Sequence, residues 1–260
     1  MNMNDIYFLG TGGSSPTIER DNTSLLIRRK EGIILIDCPG SVTRKIKMLK
    51  LDPREVRSIL ITHTHPDHIY GLPAFVHSLM LDKLSIKLYG SEEAIEFCCK
   101  LLDIFQLREE KILCRIDFIK LEIQDTFDLF PDLKCNVFKV PHKESSLAFC
   151  FDFGQKKKKL LYSGDTPVSP QLFKHAAGID TLIHDCSTPS RFSEIYPFLP
   201  TMHTDALSLG YMAQQAGVKR LIPIHFFGEL DYSIDEIKNE IRKNYTGELI
   251  IPEDLTKITI

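Results

Sequence analysis

The chain has 260 residues, of which 43% are hydrophobic and 26% charged, with a formal net charge of −3. These are ordinary globular values, and the length suits one large α/β domain, expected over residues 1–260. The slightly acidic balance excludes a general basic surface for nucleic acid, so an RNA substrate would need a local basic patch. The seven cysteines form no C-x-x-C pair, which argues against a disulfide framework or a zinc knuckle.

The N-terminal residues contain no basic segment followed by a long apolar run, so we expect no signal peptide. No stretch approaches the roughly 20 apolar residues that a membrane span needs. We therefore expect a cytoplasmic protein with no membrane partner.

The chain begins with a predicted strand, Ile6 to Leu9, which leads into a glycine-rich turn at residues 10–16. The turn lacks the features of a phosphate loop, so we interpret it as a tight loop whose glycines let the backbone approach the site closely. A hairpin follows at residues 24–37, with a charged turn. Asp37 ends its second strand, either as a turn residue or as an acceptor that orients a metal-bound histidine.

The stretch from Ser58 to His68 is the most informative one. Its apolar run is typical of a strand buried on both faces. The run ends in four strong metal ligands within six residues: His63, His65, Asp67 and His68. The first two project to the same side of an extended backbone, while the last two follow Pro66, which stops the strand, and can turn toward a second point. This arrangement suits two metal ions better than one.

Helix patterns occur at residues 42–49, 72–81, 92–105 and 205–216, and a capping box at residues 233–236 opens a last helix. Further strands are predicted at residues 86–89, 112–121, 126–130 and 134–140. A long irregular loop from Cys186 to Met202 leads to His203, and loops of that length are uncommon unless they are functional.

Four later strand patterns share one feature with the Ser58–His68 stretch, because a ligand-type residue follows each of them. The residues concerned are His142, Asp165, the pair His184-Asp185, and His225. Ligands in α/β folds gather at strand ends, so this repetition predicts a polar centre at one edge of a sheet system. We expect His184 to be structural. Lys156 to Lys159 precede one of these strands, either as a solvated hairpin tip or as an RNA-backbone contact.

Seven residues make a self-consistent ligand set: His63, His65, Asp67, His68, His142, Asp165 and His225. Nitrogen and carboxylate oxygen without thiolate suit two Zn²⁺ ions, with Mn²⁺ or Fe as alternatives. Two neighbouring ions activate a shared water and neutralise charge on the attacked centre.

The H-T-H-P-D-H run, His142, the S-G-D-T around Asp165 and the P-I-H-F around His225 resemble the motifs of the metallo-β-lactamase superfamily. The resemblance covers nearly the whole chain and implies an α/β (α+β) fold, an αββα sandwich of two mixed β-sheets flanked by helices. It implies that His63, His65 and His142 hold one metal. Asp67, His68 and His225 would then hold the other, with Asp165 as a bridge.

Within the superfamily, F-L-G-T-G-G-S-S-P, I-D-C-P-G and M-H-T-D-A are similar to segments of the ribonuclease Z branch. The resemblance implies that His203 binds or protonates the phosphate while Asp185 orients it, so that Asp67, His203 and Asp185 form the catalytic group. It also suggests a homodimer. Only 22 residues separate His142 from Asp165, which leaves no room there for the tRNA-binding arm of that family. The chain therefore resembles a short, armless form, and equally the small cyclic-phosphate phosphodiesterases of the same branch.

We expect a metal-dependent hydrolase that cleaves phosphodiester bonds, as an endonuclease at an RNA 3′ end or on a small cyclic phosphodiester, with a metal-bridging hydroxide attacking phosphorus. A metal-dependent hydrolase of a thioester or lactone, similar to glyoxalase II or a lactonase, is the alternative. A third hypothesis is a metal-stabilised binding protein without activity. Loss of turnover on replacing His203 would favour the first hypothesis over the second, and metal content tests the third.

Overall fold

Two seven-stranded β-sheets organise the residues that the structure, a computed structural model, describes, namely 4–154 and 157–260. Each sheet belongs to one of two compact units. The first unit contains Met1–Thr11, Ile18–Glu122 and Glu253–Ile260, and the second contains Gly12–Thr17 and Ile123–Pro252. The single domain expected over residues 1–260 stays a prediction.

The first unit alternates strands with short helices. In chain order these are β1 (Asp5–Gly10), β2 (Ser24–Arg29), β3 (Gly32–Ile36), α1 (Val42–Met48), β4 (Val56–Leu60), α2 (Pro66–Ile69), α3 (Leu72–Ser78), β5 (Ser85–Gly90), α4 (Glu92–Ile104) and β6 (Arg115–Lys120), with the last strand of the chain, Lys257–Thr259. The sheet runs from that last strand through β1, β2, β3, β4 and β5 to β6. The pairs from β3 to β6 are parallel, and the others are antiparallel.

The core of the first unit explains why β3 and β4 read as continuous apolar runs. Leu35 and Ile59 are wholly buried and pack in one cluster with Phe75 of α3 and Cys98 of α4. Strands of a parallel sheet carry few polar positions when helices cover them. Burial of each large aliphatic side chain contributes about 1.5–3 kcal/mol, so this cluster holds the strand end that carries His63.

The last strand is fixed to the first unit by a network around Asp254. Lys45 of α1 donates from Nζ to Asp254 Oδ2 at 2.6 Å and to the Leu9 carbonyl at 2.5 Å. The Thr11 backbone N–H donates to the other carboxylate oxygen of Asp254 at 3.0 Å. These bonds join α1, the residues after β1 and the residues before the last strand.

The second unit begins with an antiparallel meander and continues with parallel strands. Its elements are β7 (Thr126–Phe130), β8 (Leu133–Lys139), β9 (Leu147–Phe153), β10 (Lys158–Tyr162), α5 (Pro170–His175), β11 (Thr181–Asp185), α6 (Arg191–Ile195), α7 (Ala206–Gln215), β12 (Arg220–Ile224), α8 (Ile234–Arg242) and β13 (Glu248–Leu249). The sheet order runs from β13 down to β7 in sequence. Because β10, β11 and β12 are parallel, their carboxyl ends lie at one edge of this sheet.

Most predicted elements are present, with shifted ends. The strand expected at residues 112–121 spans only Arg115–Lys120, and the helix expected to reach residue 81 ends at Ser78. Ser91 and Ser233 cap α4 and α8 through their side chains, as the sequence indicated. None of the helices in the described residues combines the length and apolar character that crossing a membrane requires.

The segment before His203 is more regular than predicted. The loop expected from Cys186 to Met202 contains α6 and a 3-10 turn at Leu199–Thr201. Ser190 anchors it, because its backbone N–H and its hydroxyl both donate to the buried Glu240 carboxylate at 2.7 Å. The segment is therefore stabilised by a long-range contact, which produces no local periodicity in the sequence.

The lysine run adjoins the turn between the antiparallel strands β9 and β10, and its described lysines are exposed, which matches the solvated hairpin tip that the sequence suggested. Lys156 lies outside the described residues, whereas Lys158 and Lys159 belong to β10. Lys158 pairs with Asp180 at 3.3 Å and Lys159 with Asp152 at 3.4 Å. These two lysines therefore contribute to local pairing within the second unit.

Candidate metal centre

The four ligands predicted in the Ser58–His68 stretch form one group in the first unit. The His63 and His65 ring centroids are 4.6 Å apart, and those of His63 and His68 are 4.2 Å apart. His68 Nε2 lies 3.4 Å from Asp67 Oδ2. Pro66 does more than stop the strand, because it begins α2, so that Asp67 and His68 lie in a helical turn while His65 keeps an extended backbone.

Asp37 follows β3 and contacts this group through His68. Its backbone is left-handed (φ 57°) and its carboxylate is wholly buried. His68 Nδ1 donates to Asp37 Oδ2 at 2.9 Å, and the Thr62 backbone N–H donates to Oδ1 at 2.8 Å. Of the two interpretations left open for Asp37, this contact matches a residue that orients a histidine ligand.

Thr62 extends the same arrangement to His63. Its hydroxyl donates to Asp37 at 2.9 Å and lies 3.0 Å from His63 Nδ1. Because the hydroxyl proton is given to Asp37, the Thr62 oxygen accepts from His63 Nδ1. The Nε2 atoms of His63 and His68 then carry the lone pairs that a metal ion requires.

The second unit brings together three further predicted ligands, each following a strand. Asp165 Oδ2 lies 3.2 Å from His225 Nε2 and 3.9 Å from His142 Nε2. His142 Nδ1 donates to the Met202 carbonyl at 2.8 Å, which leaves its Nε2 as an acceptor. His225 directly follows β12 with a left-handed backbone (φ 68°). One carboxylate oxygen thus faces two imidazoles, as a bridging ligand would.

His203 and Asp185 form a pair within this second group. His203 Nδ1 donates to Asp185 Oδ2 at 2.9 Å, and the Thr166 backbone N–H donates to the same oxygen at 3.0 Å. The His203 ring is parallel to that of His225 within 15°, with centroids 5.2 Å apart, and lies 5.0 Å from His142. The predicted phosphate-binding histidine and its orienting acid are therefore in contact, while their catalytic roles stay predictions.

His184 lies against α5, and its expected structural role stays a prediction. It is fully buried, its Nδ1 donates to the Asp185 carbonyl at 2.7 Å, and its ring lies 5.3 Å from Phe173 of α5. Burial lowers the pKa of His184, so the neutral imidazole is favoured there.

The donor chemistry of both groups fits divalent metal ions. Imidazole nitrogen and carboxylate oxygen suit zinc, manganese or iron. Cys38 and Cys186 adjoin Asp37 and Asp185 in sequence, but burial raises the pKa of both thiols well above its usual value, which disfavours thiolate ligands. Burial also lowers the pKa of His142, favouring the neutral form that binds a metal.

Three residues that hydrogen-bond to the predicted site residues were not predicted from the sequence. Thr62 and Thr166 act beside predicted ligands, but a threonine next to a histidine or an aspartate is too common to be a signal. Met202 acts through its backbone carbonyl, so its residue type carries no information about the contact with His142.

Known proteins share this fold and these motifs. Residues 4–207 match the protein family described as Anti-Pycsar protein Apyc1. A Saccharolobus solfataricus protein named Ribonuclease Z is 29% identical over 296 residues, covering 99% of this chain and 100% of that protein. Among solved structures, the metallo-beta-lactamase fold protein YhfI from Bacillus subtilis matches with a TM-score of 0.83 at 17% identity, covering both chains fully. The short form of human tRNase Z matches with a TM-score of 0.76 at 22% identity, covering 98% of each chain.

These likenesses confirm the predicted fold class, the αββα metallo-β-lactamase sandwich with two mixed sheets flanked by helices. The full-length match to a Ribonuclease Z confirms the resemblance to that branch of the superfamily. The family match extends over more than half of the 260 residues. This chain therefore belongs to the Anti-Pycsar protein Apyc1 family, with the metallo-β-lactamase fold and ribonuclease Z-like motifs.

Proposed function

We propose that this protein is a metal-dependent phosphodiesterase with two Zn²⁺ ions, for which Mn²⁺ or Fe are the alternatives. In this proposal His63, His65 and His142 hold one ion, Asp67, His68 and His225 hold the other, and Asp165 is shared. The contacts within each unit support this assignment. Three of the histidines, His63, His68 and His142, use Nδ1 for a hydrogen bond to the protein, so that Nε2 is the nitrogen that would bind a metal ion. The full-length match to a Ribonuclease Z supports a hydrolase of phosphodiester bonds.

The Asp185–His203 pair is the observation that carries phosphodiester chemistry. Two bound ions would activate a water molecule and offset the negative charge of a phosphoryl group. His203 already bonds Asp185 through Nδ1, so its Nε2 is the nitrogen available to a substrate. With Nδ1 bound to Asp185, an Nε2–H of His203 would donate to a phosphoryl oxygen or protonate the leaving oxygen. A hydrolase of neutral carbonyl substrates has less use for a second proton donor at this position.

A small cyclic phosphodiester is the substrate class we favour over an RNA 3′ end. Strands β9 and β10 occupy much of the interval between His142 and Asp165, where a tRNA-binding arm would have to be inserted. The alignment with the Saccharolobus relative is longer than this 260-residue chain, so that relative contains segments absent here. A homodimer, implied by the family resemblance, stays a prediction.

The position of the lysine run does not favour an RNA substrate. Lys158 and Lys159 begin β10, whereas Asp165 follows its other end. Five residues at about 3.3 Å each place the lysines roughly 16 Å from that end of the strand. A contact between these lysines and a phosphate bound at Asp165 would therefore need a long substrate.

A substrate panel with metal analysis in the same preparation tests this proposal. Metal-loaded protein is assayed on bis(p-nitrophenyl) phosphate, on 3′,5′-cyclic nucleotides and on pre-tRNA. We expect turnover of the first two substrates and little of the third. A preparation with about two ions per chain that cleaves none of them would refute the phosphodiesterase, and fewer than about one ion per chain would favour a binding protein.

One variant distinguishes the phosphodiesterase from a hydrolase of thioesters or lactones. His203→Ala should abolish most turnover of a phosphodiester while the metal content stays unchanged, because His203 is not among the proposed ligands. An enzyme acting on a lactone or thioester should lose little activity. Wild-type and variant proteins are compared on both substrate classes at equal metal content.

A further inference from the structure

Phe227 directly follows the P-I-H-F motif and lies across the edges of two imidazoles of the second unit. Its ring centroid is 5.0 Å from that of His203 at an interplanar angle of 73°, and 5.8 Å from that of His225 at 64°. The two imidazoles are themselves nearly parallel. One aromatic edge-to-face arrangement therefore spans both the proposed phosphate donor and a proposed ligand.

The backbone beside this ring is fixed from two directions. The Phe227 N–H donates to the Ser187 carbonyl at 2.9 Å, and the Gly13 N–H donates to the Phe226 carbonyl at 2.8 Å. Gly12 and Phe226 also form a parallel β-bridge. The glycine-rich turn thus runs alongside the residues that follow His225.

Gly13 leaves space that the Phe227 ring fills. A Cβ atom at position 13 would lie 2.8 Å from Phe227 Cδ1, 3.2 Å from Cε1, and 3.5 Å from His225 Cε1. Real Cβ atoms essentially never approach another atom so closely, so alanine there would displace the ring. Because the same ring contacts His203 and His225, its displacement would change its contacts with both imidazoles.

We propose that Phe227 is a positioning residue that holds the His203 imidazole in the orientation needed for catalysis, and that Gly13 sets the position of its ring. Without the ring, His203 can rotate about its side-chain bonds and leave the Asp185 hydrogen bond part of the time. This inference rests on the proposed phosphodiesterase function only for its kinetic readout.

Phe227→Leu removes the aromatic ring and keeps an apolar side chain. We expect kcat on bis(p-nitrophenyl) phosphate to fall about three- to tenfold, the range that an aromatic edge-to-face pair supports. KM and metal content should change little, because no proposed ligand is removed. Phe227→Tyr retains the ring and should restore most of kcat. Phe198→Leu, at a phenylalanine that is 58% exposed, is the matched control and should behave as wild type.

Gly13→Ala tests the other half of the inference. It should lower kcat by a similar factor, and the double variant Gly13→Ala/Phe227→Leu should be no worse than Phe227→Leu alone, because both changes act through one ring. Additive losses would overturn the coupling. Gly13→Ala also covers the case in which Phe227→Leu fails to fold, since it leaves the ring in the protein.

A readout without turnover separates this inference from the proposed function. Nitrogen-15 spectra of the His203 imidazole report its tautomer, which the Nδ1–H bond to Asp185 should fix in the wild type and the Phe198→Leu control. A tautomer mixture in Phe227→Leu and Gly13→Ala supports the inference even if no phosphodiester is cleaved, an outcome that would refute only the function. A single unchanged tautomer together with unchanged kcat would overturn the role of Phe227.

Discussion

Replacing Asp37 by asparagine should weaken metal binding about 10- to 100-fold without unfolding the protein. The left-handed backbone at position 37 is acceptable to asparagine, so the change is confined to the carboxylate. The asparagine oxygen can still accept from the Thr62 N–H, but an amide N–H₂ then faces His68 Nδ1, where donor meets donor. A charge-assisted hydrogen bond contributes about 1.5–3 kcal/mol, and about 1.4 kcal/mol corresponds to a factor of ten.

Competition with a chromophoric chelator measures this loss in affinity directly, and urea unfolding of the metal-free proteins shows whether the fold is kept. Asp52→Asn is the control, because that carboxylate pairs with Arg54 on the surface of the same unit. If the metal affinity of Asp37→Asn stays within threefold of wild type while the protein is folded, Asp37 does not orient a ligand.

Three further outcomes are expected. Asp185→Asn should lower kcat about 10- to 100-fold at unchanged metal content, because His203 loses a charge-assisted partner 2.9 Å away; a loss confined to KM would contradict this. Burial lowers the pKa of His184, so the unfolded chain binds more protons there, and the free energy of unfolding should fall as the pH drops below about 6.5. His184→Leu should flatten part of that slope in urea titrations, and an unchanged slope would count against it. Lys45→Met should lower the free energy of unfolding by about 3 kcal/mol, because it leaves the Asp254 carboxylate without its cation 2.6 Å away, whereas the exposed Lys47→Met should have little effect.

Local patterns predicted the ligand set because the necessary information is short-range. An apolar run followed directly by His63 or His225 indicates both a strand and a potential metal ligand at its end. Patterns of this kind need no knowledge of which strands are neighbours. The set of seven predicted ligands therefore came from the sequence, and the family resemblance supplied their division between two ions.

The partners of those ligands depend on register, which the sequence does not state locally. Asp37 meets His68 because β3 and β4 are parallel with Ile36 opposite Leu60, so that residues after both strands lie side by side. Nothing near Asp37 distinguishes that outcome from a turn residue. The same limitation hid the Phe227 ring, whose position depends on a bridge to the distant glycine-rich turn.

The prediction of an irregular loop before His203 was wrong, and it was based on the prolines in that segment. Their spacing suggested an irregular loop, but α6 forms there because the buried Glu240 carboxylate accepts two hydrogen bonds from Ser190. That acceptor lies 50 residues further along the chain. A short helix stabilised by a distant carboxylate leaves no periodic pattern of its own.

The position of the last strand has a consequence for the order in which the protein is made. The sheet of the first unit is closed by Lys257–Thr259, and Asp254 ties this segment to α1. A ribosome releases these residues only after it has synthesised every strand of the second sheet. The unit that carries His63 and Asp37 therefore keeps an open sheet edge beside β1 until residues 257–259 have been made, and in that interval the nascent chain depends most on protection from aggregation.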